Sequence, residues 1–173
     1  MMKRFLLVTA LTLLGASATL QAAIDETIRV KESIEVNAPV DKVWAKIGSF
    51  GDLNWHPAIA KTAITSGENN VVGATRLLTL KDGGTIHEVL TGYDAASHTM
   101  KYDITESVLP VRDYSATLSV QASGNKTIIT WRSMFKRLDP ANPPKAGQDD
   151  QAARDTITHI FKTGLETIKK ASE

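Results

Sequence analysis

Between Lys61 and Lys136 the chain is cut into six short runs of alternating or β-branched apolar residues: Lys61–Thr65, Ala74–Leu80, Thr85–Tyr93, Thr99–Glu106, Arg112–Gln121 and Thr127–Lys136. The dividers include Gly67-Glu68-Asn69-Asn70, Lys81-Asp82-Gly83-Gly84, Asp94-Ala95-Ala96-Ser97 and Ser123-Gly124-Asn125. Connections this short join antiparallel neighbours, because a parallel crossover needs about a dozen residues or more. The runs therefore predict a meandering antiparallel sheet. An earlier run, Thr27–Asn37, alternates Ile28, Val30, Ser33/Ile34 and Val36 with charged residues. It supplies the first of seven strands, with a slip at Ser33/Ile34 read as a bulge.

Two short helices are expected between the first and second strands. Pro39 suits a first helical turn, Asp41 favours the positive helix end, and Val40, Val43, Trp44 and Ile47 fall on one face. Gly48 and Gly51 break that helix, and Phe50 to Pro57 reads as a second brief helical turn or a loop. Leu138 to Gln148 contains Pro140, Pro143 and Pro144 and reads as a linker. Asp149 to Ala171 then runs free of proline, with Ala153, Ile157, Ile160, Phe161, Gly164, Leu165 and Ile168 on one side. This helix is the one element long enough to cover the sheet's apolar face. The expected fold is α+β, a curved seven-stranded antiparallel sheet wrapped around a long C-terminal helix.

The start of the chain predicts export. Lys3 and Arg4 precede an apolar stretch from Phe5 to Gly15, and small residues lead to Leu20-Gln21-Ala22-Ala23. This is the pattern of a signal peptide over residues 1–22, cleaved after Ala22 or Ala23, leaving residues 23–173 as one domain in the periplasm. The apolar run is shorter than the roughly 20 residues a membrane span requires. Losing Lys3 and Arg4 from 20 basic residues against 19 acidic ones leaves the exported chain near neutrality, which argues against nucleic acid as a partner. No cysteine is present, so disulfides, thiolate metal sites and thiol nucleophiles are excluded. His56, His87, His98 and His159 lack metal-ligand spacing, and no metal or cofactor is expected. His56, beside Trp55, is read as overhanging a pocket mouth or capping a loop.

The most informative constellation follows from strand parity. Arg76, Leu78 and Leu80 share one face of their strand, and Ile86, Glu88 and Leu90 share one face of the next. If Lys81-Asp82-Gly83 is a three-residue hairpin loop with Gly83 left-handed, Leu78 faces Ile86 and Arg76 faces Glu88. Desolvating those charges is costly unless they are paired, so an inward pair marks a polar cavity floor. The alternative is a solvated pair at a sheet edge. Parity also turns Met100, Tyr102 and Ile104, then Tyr114, Ala116, Leu118 and Val120, then Trp131, Ser133 and Phe135 inward, as cavity wall or as plain core. Gly164 on the inner helix face leaves space for Trp131 or for a ligand. The apolar loop Ser107-Val108-Leu109-Pro110-Val111 is a lid, a docking tip, or a segment buried beneath the Trp55 loop.

The motifs Ala38-Pro39 with Val43-Trp44, Trp55-x-Pro57, Gly73-x-x-Arg76-x-Leu78-x-Leu80-x-Asp82-Gly83-Gly84, Glu88-x-Leu90, Tyr102-x-Ile104, Asp113-Tyr114 and Thr130-Trp131-x-x-x-Phe135 carry a resemblance. The chain resembles the polyketide cyclase/dehydrase-like branch of the START and birch-pollen-allergen helix-grip superfamily (SRPBCC), across nearly all of residues 23–173. It is also similar to periplasmic accessory proteins of methanol oxidation. The resemblance implies an internal ligand cavity, lined in related hormone receptors by a strand Glu and a strand Tyr at the positions of Glu88 and Tyr114.

The leading expectation is a periplasmic protein that holds a small apolar or amphipathic molecule without transforming it. Arg76 and Glu88 would orient its polar end, Tyr102 and Tyr114 would add hydroxyls, and Trp131, Phe135, Phe161 and Leu165 would supply apolar area, with Trp55 and His56 at the mouth. One alternative is an accessory protein modulating a periplasmic oxidoreductase, such as a methanol dehydrogenase system or its cytochrome. Another is a cyclase or dehydratase with Glu88 as general base and Arg76 stabilising an enolate.

Overall fold

A computed structural model describes residues 26–173; the leader expected over residues 1–22 lies outside the described residues. The elements are β1 (Ile28–Val36), α1 (Val40–Ile47), β2 (Ile59–Ser66), β3 (Thr75–Leu80), β4 (Thr85–Asp94), β5 (Thr99–Ser107), β6 (Val111–Ser123), β7 (Lys126–Arg137) and α2 (Asp150–Ser172). All neighbouring strands are antiparallel, in the order β1-β7-β6-β5-β4-β3-β2. The meander expected from the short dividers is therefore present, with β1 added beside β7.

Two local expectations change. The ladder between β1 and β7 is unbroken from Ile28↔Phe135 to Val36↔Thr127, so no bulge occurs at Ser33/Ile34. The inward parity simply passes through the half-buried Glu32 on its way from Val30 to Ile34. Register shifts occur instead within β2, at His87/Glu88 and Leu90/Gly92 of β4, and at Arg112/Ser115 of β6, where they help the sheet curl. The second short helix after β1 is a chain of turns: Asp52 N–H bonds Ser49 O, His56 N–H bonds Leu53 O and Ile59 N–H bonds His56 O. Pro57 explains the interruption, since a proline steers the residue before it away from helical geometry.

Asp149 caps α2 by accepting from the Ala152 N–H at 2.8 Å. Ala153, Ile157, Phe161, Leu165 and Ile168 of this helix are buried in one core with the inner face of the sheet. The helix backbone approaches β1 and β7 closely, and has no comparable approach to β3, β4 or β5. The sheet's far half is thus gripped by side chains alone, and there the interior opens. No helix among the described residues is long and apolar enough to cross a membrane.

Candidate functional site

The hairpin between β3 and β4 sets the polar centre. Gly83 has φ +89°, Leu80 N–H bonds Gly84 O at 2.8 Å, and the ladder pairs Leu78 with Ile86 and Arg76 with Glu88. Arg76 is 2% exposed and Glu88 4%, which excludes a solvated edge pair. Arg76 Nε donates to Glu88 Oε2 at 2.6 Å and its Nη1 donates to Phe50 O at 2.6 Å. Its guanidinium lies 4.3 Å from the Phe50 ring centre and 5.2 Å from that of Tyr102. Arg76 is thereby locked behind Glu88, off the cavity wall. Burial pushes the Glu88 carboxyl above its usual range, outweighing the opposing pull of Arg76.

In front of Glu88 lies a cavity of about 130 Å³ between the sheet and α2. Leu78, Ile86, Glu88, Tyr102, Tyr114 and Trp131 form the sheet wall, Ile157, Ile160 and Phe161 the helix wall, and Leu53, His56 and Leu109 of the loops, with Ile59 at the start of β2, the rim. Trp131 stacks on Phe161 at 4.5 Å between ring centres and donates its indole N–H to the Tyr102 hydroxyl at 2.8 Å. Tyr114 stacks on Phe135 at 5.8 Å. Burial raises both phenols above their ordinary value, so they stay protonated. The Ser133 hydroxyl is buried beside Tyr114.

His56 closes one side. It is 3% exposed, its Nδ1 accepts from Ala58 N–H at 3.2 Å, and its Nε2 lies 2.9 Å from Ile160 O. Nδ1 as acceptor makes Nε2 the protonated nitrogen, so the neutral ring donates to the helix. Burial lowers its pKa accordingly. The space left by Gly164 is filled by this ring and by Trp131: a Cβ there would stand 2.6 Å from His56 Cδ2 and 3.0 Å from Trp131 Cζ3.

Of the residues singled out in the sequence, Glu88, Tyr102, Tyr114, Trp131, Phe161 and His56 line the cavity. Arg76, Phe135, Leu165 and Trp55 do not. Arg76 is sequestered, Phe135 and Leu165 lie in the surrounding core, and Trp55 packs against Trp131 and His56 with its indole N–H buried and unpartnered. The apolar loop after β5 also turns inward: Leu109 and Val111 are buried and Val108 is 60% exposed. Phe50 and Leu53 were missed because they sit in the turns after α1, where no periodicity assigns a facing direction, and Ile59 because it opens β2 just ahead of the run Lys61–Thr65 read as that strand. The one available signal was the presence of large apolar residues in otherwise polar connections.

A curved sheet gripping a long helix over a mostly apolar cavity with one buried carboxylate defines a helix-grip ligand-binding protein. The sequence matches the model of the family described as polyketide cyclase / dehydrase and lipid transport over residues 27–173, and the chain belongs to that family. Among solved structures it is similar to XoxI from Bacillus cereus, with 26% identity, TM-score 0.72 and coverage of 83% of this chain and 94% of that one. An uncharacterised protein from Bacillus thuringiensis is similar at 27% identity and TM-score 0.72, covering 83% and 98%. A protein from Nitrosospira multiformis shares the fold at 22% identity and TM-score 0.70, covering 84% and 97%. No curated protein matches the chain.

Proposed function

We propose that this chain is an exported binding protein that holds one small molecule of about single-ring size, an apolar body carrying a hydrogen-bond donor, without transforming it. The observation that carries the reading is the cavity of about 130 Å³ with Glu88 as its one charged wall residue. Apolar cavities of roughly 150 Å³ hold a benzene ring, whereas pockets for drug-sized ligands begin near 300 Å³. Oε2 of Glu88 is committed to Arg76, leaving Oε1 as the acceptor for a ligand N–H or O–H. A donor arriving there relieves the desolvated carboxylate, which gives the site selectivity over purely apolar molecules.

Arg76 is held against Phe50 O and Glu88, and so is not positioned to stabilise an enolate in the cavity. That favours binding over cyclase or dehydratase chemistry. A contact role at a periplasmic oxidoreductase needs an exposed apolar tip, and burial of Leu109 and Val111 leaves Val108 alone there. The periplasmic setting is supported by the leader pattern of residues 1–22.

Calorimetric titration with phenol and with toluene tests the reading. Phenol binds one per chain and more tightly than toluene, and Glu88→Gln weakens phenol while leaving toluene unchanged. Failure of both to bind, or equal binding of both in the wild-type protein, refutes it.

A further inference from the structure

Four cations gather on the opposite face of the sheet from the cavity. Side chains alternate along a strand, so the residues between the buried ones face outward. The ladder sets Lys31 against Arg132, Arg132 against Thr117 and Thr117 against Lys101, one row across β1, β7, β6 and β5. The adjacent row runs Arg29, Met134, Ser115, Asp103. Together they line an open concavity of about 470 Å³, within the size range of small-molecule sites.

The charges there are not balanced. Lys31 and Arg132 stand directly opposed on neighbouring strands, which costs stability because like charges repel. Among the described residues no carboxylate forms an ion pair with Arg29, Lys31, Lys101 or Arg132. Glu35, on the same face, is taken by Lys126 at 2.6 Å. Asp103 is the one carboxylate lining the concavity. In a chain with 20 basic and 19 acidic residues, four cations against one acid in one hollow is a local excess. Lys101 is also laid in place: a Cβ on Gly92 would stand 3.2 Å from Lys101 Cδ, so the lysine stem runs along the glycine. Met134, 46% exposed, gives the hollow an apolar floor.

We propose that this concavity is a second binding site, taking a small organic dianion whose apolar body lies on Met134 and whose anionic ends meet Lys31 and Arg132 on one side and Lys101 on the other. Two strand spacings separate Arg132 from Lys101, about 10 Å, which suits a rigid body with an anionic group at each end. Arg132 offers the planar fork that engages a carboxylate through two hydrogen bonds.

Backbone amide shifts of the isotope-labelled protein, followed during titration with terephthalate, test this, with terephthalamide as the uncharged counterpart. Terephthalate shifts Lys31, Lys101, Thr117 and Arg132 saturably and terephthalamide does not. Arg132→Gln and Lys101→Gln each weaken binding at least about tenfold. Lys31→Gln weakens it while leaving the melting temperature equal or higher, because a repulsion has been removed. Several results overturn the proposal: shifts that never saturate, equal binding of terephthalamide, affinity indifferent to Arg132→Gln, or a melting temperature that falls with affinity in Lys31→Gln. Binding of polyglutamate without terephthalate also overturns it, and assigns the face to an acidic protein instead.

Discussion

Removing Glu88 tests how the polar centre is held. Glu88→Ala leaves Arg76, 2% exposed, with its charge facing only Phe50 O and the rings of Phe50 and Tyr102. Breaking one side of a buried ion pair costs about 3–5 kcal/mol, because the surviving charge stays desolvated. In a chain of this length that lowers the melting temperature by about 6–20 °C. The double replacement Arg76→Met with Glu88→Leu removes both charges but orphans the Phe50 carbonyl that Arg76 Nη1 now satisfies. An unpaired buried carbonyl costs about 1–3 kcal/mol, so the double variant falls short of wild type by that amount and exceeds Glu88→Ala in stability. Urea denaturation of the three proteins, with equal slopes, measures both differences. A loss below about 1 kcal/mol for Glu88→Ala, or a double variant less stable than Glu88→Ala, refutes the reasoning.

Gly164→Ala gains about 1 kcal/mol of helix propensity and loses more by driving a Cβ to 2.6 Å from His56 Cδ2, giving a net destabilisation of about 1–3 kcal/mol by chemical denaturation. A stabilised variant contradicts the packing. Because burial places the folded His56 pKa below its reference of 6.5, the unfolded chain takes up the proton first as pH falls. Its contribution is complete above about 6.5 and is lost as pH drops toward the folded value, and His56→Gln flattens that part of a stability profile against pH. Trp131→Phe keeps an aromatic ring facing Phe161, drops the bond to the Tyr102 hydroxyl, and costs about 0.5–1.5 kcal/mol on top of the lost ring area, seen as a lowered urea midpoint. N-terminal sequencing of protein recovered from an exporting host finds Ala23 or Ile24 first; an intact Met1 contradicts the leader.

Most of the fold was legible because its signals are local. Turn clusters bounded each strand, Gly83 fixed the hairpin loop, and from that loop the pairing of Arg76 with Glu88 followed by counting. Parity equally turned Tyr102, Tyr114 and Trp131 inward. What parity does not carry is depth: it distinguishes inside from outside, and so grouped Arg76 with Glu88 although one lies behind the other. His56 illustrates a second limit. Its partner, Ile160 O, stands on α2, 104 residues away, and only the tertiary fold brings the loop to the helix. Phe50 is a third case, since the carbonyl that fixes Arg76 belongs to a turn without periodic pattern. The spurious bulge in β1 arose from treating Glu32 as necessarily outward, when a half-buried charge fits the inner row near the end of a sheet.

The central claim is that the hollow before Glu88 takes a ring bearing a donor, and intermolecular nuclear Overhauser effects from bound phenol locate it directly. The account predicts contacts from the phenol ring protons to Leu78, Ile157 and Phe161. Contacts to Met134 on the outer face, or none to the interior at saturating phenol, would contradict it.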